Sequence, residues 1–222
     1  MRGPLIVVTG TGTSIGKTHV ASAVLRAAAS KRAVFGYKPI ESGLEEGGVP
    51  DATRLAAAST FHVQQSPGLR LRAPLSPHLA AELEGATLDW AAIRSFVSDT
   101  RAAGTAVLLE LPGGLFTPLA HGFRNVDALR TLAPTVTLLL ASNRLDVLHD
   151  VGAALEGAAN VGATVDAVGL VASEAVDAST SSNPREVARI VGERWVGEWP
   201  RGLDADLAQA DATAEVVRRW LG

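Results

Sequence analysis

The chain has 222 residues, of which 47% are apolar, with 20 basic and 23 acidic side chains and a formal net charge of −3. That length suits one domain spanning residues 1–222, and the near-balance of charge argues against nucleic-acid binding through bulk electrostatics. Cysteine is absent, which excludes disulfides, thiolate metal centres and thiol nucleophiles.

In chain order, residues 4–9 form a short apolar, β-branched run that predicts a buried strand, and residues 17–30 hold good helix formers. Residues 33–37 predict a second strand, stopped by Pro39. An amphipathic helix follows over 88–102, then a strand over 105–111 that ends at Pro112-Gly113-Gly114. Residues 135–141 read as a strand, 147–161 as a helix, 167–172 as a strand, 184–194 as a helix and 204–221 as a terminal helix. The Ser/Thr-rich stretch 177–183 predicts a mobile surface loop. Trp195 and Trp199 fall on a short strand, as core or edge packing. Alternating strands and helices, with strands apolar throughout, predict an α/β fold: a parallel sheet flanked by helices on both faces. No run reaches the ~18 apolar residues of a membrane span, and none resembles a targeting segment. A soluble, cytoplasmic protein without membrane partners is expected.

The segment Thr9-Gly10-Thr11-Gly12-Thr13-Ser14-Ile15-Gly16-Lys17-Thr18 follows a predicted strand and opens a predicted helix. That is the context of a phosphate-binding loop, where successive backbone N–H groups and the helix N-terminus cradle phosphate oxygens. Lys17 would reach the outer phosphates and the Thr18 hydroxyl would ligate Mg²⁺. The spacing is irregular, because the position that usually holds the first glycine of the pattern is Thr11, between Gly10 and Gly12.

Lysine is scarce: Lys17, Lys31 and Lys38 are the three among 20 basic residues. Lys38 closes the second strand at the carboxyl edge of the sheet, where open α/β folds bind ligands. Asp51 opens a predicted helix, where its plain role is an N-cap. Glu110 ends an apolar strand, where a buried carboxylate needs a partner, and a metal ion would supply one.

The loop Gly10 to Thr18, together with Gly36-Tyr37-Lys38-Pro39-Ile40-Glu41-Ser42-Gly43, resembles the dethiobiotin synthetase family of P-loop enzymes. The similarity runs from residue 5 to about 140 and includes Pro74-Leu75-Ser76-Pro77-His78, with His78 as packing near the site. The resemblance implies ATP and Mg²⁺ as cofactors, and a diamino acid with CO₂ or bicarbonate as substrates of a homodimeric ligase. It further implies catalytic roles for Lys38, Lys17 and Thr13, and substrate contacts at Ser42, Thr13, Lys38 and Gly114. Nucleotide contacts are implied at Ser14, Ile15, Gly16, Lys17, Thr18 and His19 of the loop and its helix. Glu110, Gly113, Ser173 and Pro200 complete that set, and Thr18, Asp51 and Glu110 are the implied metal ligands.

Three segments depart from the family pattern. Leu111-Pro112 stands where the family has Gly-Ala, so the loop after Glu110 is stiffer and lacks one N–H donor. Leu145-Asp146-Val147-Leu148-His149-Asp150 replaces a Leu-Gly-x-x-Asn-His segment that holds the substrate carboxylate across the dimer. Carboxylates there would repel such a substrate and compete for the helix N–H groups, with Arg144 as compensation. Ser173-Glu174 replaces an adenine-reading Asn-Asp. Two other readings stay open: an ATP-dependent ligase for a different amine, and a nucleotide switch of the chromosome-partitioning kind. The switch would carry an extra lysine where this chain has Gly12.

Overall fold

The computed structural model describes residues 1–44, 48–63, 65–202, 207–208 and 210–222. Its centre is a six-stranded parallel sheet of β1 (Leu5–Gly10), β2 (Val34–Tyr37), β5 (Ala106–Glu110), β8 (Val136–Asn143), β9 (Ala167–Ala172) and β10 (Trp195–Trp199). The spatial order is β10-β9-β8-β1-β5-β2. From β1 the chain runs out to the β2 edge, returns to β5, then crosses β1 to build the other half. Such a reversal opens a crevice at the carboxyl ends of the central strands.

Each strand feeds two cores, because successive side chains point to opposite faces. Ile6, Val8, Leu108 and Leu138 pack under α1 (Lys17–Ala29), α2 (Asp51–Ala57) and α8 (Asp211–Leu221). Leu5, Val7, Val107 and Leu109 pack under α4 (Trp90–Ala102), α5 (Asn125–Leu132), α6 (Val147–Asn160) and α7 (Asn183–Val191). Parallel strands covered on both faces explain why these runs are apolar throughout rather than alternating.

Most predicted elements sit within a few residues of their expected bounds, and the differences have local causes. The helix predicted from Leu88 begins at Trp90 because Asp89 caps it, its Oδ1 accepting from Ala92 N at 2.9 Å. The helix predicted over 184–194 ends at Val191 and tightens into a 3₁₀ turn, Gly192–Arg194. Residues 204–206 and 209 of the predicted terminal helix lie outside the described residues.

Sequence periodicity passes over β3 (Ile40–Glu41), which pairs with β4 (Leu69–Arg70), the β6/β7 hairpin (Pro118–Ala120, Phe123–Arg124), α3 (Pro77–Leu83) and α5. All are too short to show a clear period. Four residues apart, Trp195 and Trp199 should share a face of β10, yet they pack into different cores. A register irregularity between Trp195 and Gly197 turns the strand over. The stretch 177–183 is a hydrogen-bonded turn. Asp177 accepts from Ser179 N at 2.8 Å and from Leu145 N at 2.8 Å, and four such bonds hold its pKa down to about 2. Among the described residues no helix is long and apolar enough to cross a membrane.

Candidate active site

A cavity of about 1170 Å³ opens over the carboxyl ends of β1, β2 and β5. One wall is the phosphate loop, where positive φ falls on Ser14 (54°) and Gly16 (91°). Gly16 must bend left-handed and also leave room, since a Cβ there would lie 3.0 Å from Val171. Thr11 keeps negative φ, so the irregular spacing places no glycine-only demand on it. Thr13, Ser14, Ile15, Gly16, Lys17 and Thr18 all line the cavity, as does His19, whose Nε2 lies 3.0 Å from Gly202 O.

Lys17 is 6% exposed and its Nζ donates to Gly12 O at 2.7 Å. Burial, reinforced by the nearby Lys38 charge and opposed by Glu110, lowers its pKa to about 8. The loop therefore encloses a cation short of anionic partners.

Lys38 stands between two carboxylates. Its Nζ donates to Glu110 Oε1 at 2.8 Å and contacts Asp51 Oδ2. Burial disfavours its charge, but the Glu110 and Asp51 carboxylates outweigh that and hold its pKa above the usual lysine range. Burial likewise pushes the Asp51 carboxyl up, and the Lys38 charge with hydrogen bonds from Lys38 and Thr18 brings it below its ordinary value. Glu110 is fully buried, and its Oε1 also accepts from Thr18 Oγ1 at 2.9 Å. Its Oε2 is buried with no partner, and such an orphan is costly unless a ligand serves it.

Asp51 is not an N-cap. Pro50 occupies the cap position, and Glu41 does the capping from β3: Oε1 accepts from Asp51 N at 2.6 Å and Oε2 from Ala52 N at 3.3 Å. Sequence reading missed Glu41, although it stands inside the Lys38–Gly43 segment. Ser42 lines the cavity, as do Gly113 and Gly114 opposite it. Gly114 lies against the phosphate loop, where a Cβ would be 2.9 Å from Thr11 O.

His149 and Asp150 of α6 form part of the far wall. Arg144 Nη2 donates to Asp150 Oδ2 at 2.7 Å, which neutralises that carboxylate. Asp146, expected to compete for the helix N–H groups, makes no side-chain cap bond and takes a left-handed φ of 72°. His78 lies beside the cavity, its Nδ1 3.0 Å from Ser76 Oγ. Ser173 and Pro200 are outside the cavity lining, and Glu174 pairs with Arg201 at 2.5 Å.

The donor set suits a magnesium ion better than a metal held by protein ligands alone. Among the described residues no group of three or more His, Cys, Asp or Glu side chains could hold a metal. Magnesium is ordinarily bound by one or two carboxylates plus substrate phosphates and waters. Thr18 Oγ1, Asp51 and the unpartnered Glu110 Oε2 beside a phosphate loop match that pattern.

A family model described as an AAA domain matches residues 5–207. An ATP-dependent dethiobiotin synthetase from a Caulobacter species is 37% identical over 185 residues, 79% of this chain and 78% of that protein. The protein of the same name from Aromatoleum aromaticum is 34% identical over 92% of this chain and 93% of its own length. Among solved structures, the MinC:MinD cell division complex of Aquifex aeolicus aligns with a TM-score of 0.61 at 13% identity, covering 98% of this chain and 95% of that one. A ParA family ATPase from Chlorobium tepidum TLS aligns with a TM-score of 0.57 at 11% identity, over 100% and 98% of the two chains. At such identities the structures speak for the fold alone, that of the P-loop NTPases. The phosphate loop, the Lys38–Gly43 segment and relatives matched over most of their length agree: the chain belongs to the dethiobiotin synthetase family.

Proposed function

We propose that this chain is an ATP-dependent ligase that joins CO₂ to 7,8-diaminopelargonic acid and closes the ring to dethiobiotin, releasing ADP and phosphate. One observation carries the reading: Lys17 and Lys38 line one cavity, with Glu110 bonded to both Lys38 and Thr18. A free amine of the substrate adds to CO₂ as a carbamate. The carbamate oxygen accepts the γ-phosphoryl group, and the second amine displaces phosphate from the carbonyl carbon. Lys17 follows the outer phosphates and Lys38 neutralises charge on the carbamate and the transferring phosphoryl.

Thr18, Asp51 and Glu110 would hold Mg²⁺, which when bound neutralises phosphate charge. Ser14, Ile15, Gly16 and His19 are read as nucleotide contacts, with Gly113 beside the phosphates. Thr13, Ser42 and Gly114 are read as substrate contacts. Ser173 and Pro200 are assigned to the base, which then lies beyond the main cavity. We read residues 1–222 as one domain, supported by a central six-stranded sheet whose strands are drawn from Leu5 to Trp199. The assembly is read as a cytoplasmic homodimer; Leu145 and Leu148, 63% and 37% exposed at the start of α6, offer an apolar surface beside the cavity.

A second reading, a ligase for a different amine, is motivated by the altered Asp146–Asp150 segment, whose His149 and Asp150 line the cavity. Phosphate release from MgATP separates the two. Stimulation by the diamino acid and bicarbonate together supports the first reading. Stimulation only by a non-acidic diamine supports the second.

A further inference from the structure

Asn125 is the first residue of α5 and is fully buried. Its Nδ2 donates to Pro112 O at 2.5 Å and to Gly114 O at 2.7 Å. Both partners are carbonyls, which only the NH₂ end of an amide can serve, so the orientation of the side chain follows from its neighbours. Its Oδ1 is buried without a partner, so the residue is kept there for its donors.

The bonds converge on one loop. Asn125 N donates to Thr117 O at 3.0 Å, Thr117 N donates to Gly114 O at 3.0 Å, and Gly114 N donates to Thr117 Oγ1 at 2.9 Å. Leu115 N donates to Gly10 O at 2.8 Å, which fastens this loop to the phosphate loop. Gly113 takes a left-handed φ of 63°, and a Cβ there would lie 2.5 Å from Thr117 Oγ1. Pro112, Gly113, Gly114 and Thr117 line the cavity, whereas Asn125 stands behind them, outside the lining.

We propose that Asn125 is a positioning residue for phosphoryl transfer: its amide clamps the Pro112–Gly114 turn against the phosphate loop and so fixes the cavity wall around Lys17 and Lys38. A small misplacement of reacting groups is enough to lower turnover by orders of magnitude, without comparable loss of ground-state binding. The inference rests on the proposed ligase reading for its kinetic part alone.

The test uses Asn125→Leu, which keeps the branching at Cγ and removes both donors, and Thr117→Val, which removes the Gly114 N–H acceptor without touching α5. Three quantities are read: kcat per folded molecule, the MgADP dissociation constant, and hydrogen exchange at Gly113, Gly114 and Leu115. The clamp predicts that both variants lose about tenfold or more in kcat while MgADP affinity stays within about twofold, and that these amides exchange faster. Unchanged kcat per folded molecule, or unchanged exchange, in either variant overturns it. Should the wild-type chain make no dethiobiotin, the ligase reading fails by itself. The exchange measurement then still decides the clamp, faster exchange supporting it and unchanged exchange overturning it.

Discussion

Lys38 and Glu110 meet at 2.8 Å although 72 residues separate them in the chain. The pair joins the end of β2 to the end of β5, neighbours in the sheet, and leaves one Glu110 oxygen without a partner. Removing one member of a buried ion pair strands the other, at a cost of about 3–5 kcal/mol. Lys38→Met should therefore lower the melting temperature and abolish product formation, while MgADP binding persists. Adding Glu110→Gln should recover much of the lost stability and none of the turnover, as thermal denaturation and product assays on both variants would show.

Lys17 carries a pH signature. Burial lowers its pKa to about 8 from the ordinary lysine value of 10.5. Between those values the unfolded chain binds more protons than the native one, so this group's contribution makes stability rise with pH across that window. Nucleotide phosphates need the ammonium, so ADP affinity measured with EDTA present should fall above pH 8, by up to about tenfold per pH unit. Calorimetry in buffers of different ionisation enthalpy should show proton uptake on binding there, and Lys17→Arg should remove both effects.

Glu41 sets the position of Asp51 by accepting from its backbone N–H at 2.6 Å. Losing such a cap destabilises a helix start by about 1 kcal/mol. Glu41→Ala should lower the denaturation midpoint by a corresponding amount and weaken magnesium affinity, seen as a higher metal concentration for half-maximal rate. Affinity for metal-free ADP should not change.

Arg144 neutralises the Asp150 carboxylate on the cavity wall at 2.7 Å. Arg144→Ala should raise KM for the diamino acid severalfold, because an unpaired Asp150 carboxylate then faces the carboxylate end of the substrate. The methyl ester of the same substrate should be little affected, and steady-state kinetics on the two compounds makes the comparison.

Much of this site was legible in the sequence because its signals are local. A strand, a small-residue loop and Lys17-Thr18 occur in one contiguous run, and Glu110 betrays itself as a charge ending an apolar strand. Lys17 and Lys38, singled out by the scarcity of lysine, line the same cavity. Less legible were partner choices made across the fold. Nothing near Asn125 says that its amide reaches Pro112 and Gly114, and nothing near Glu41 says that it caps α2. Short elements such as α3 and the β6/β7 hairpin owe their form to packing rather than to a period. The irregularity in β10 sent Trp195 and Trp199 to opposite faces, which alternation alone predicts wrongly.

The most direct measurement is product formation with isotopically labelled bicarbonate, MgATP and 7,8-diaminopelargonic acid, followed by mass spectrometry and phosphate release. A ligase of this kind yields labelled dethiobiotin with one phosphate released per product. Phosphate release without labelled dethiobiotin would contradict the proposed function.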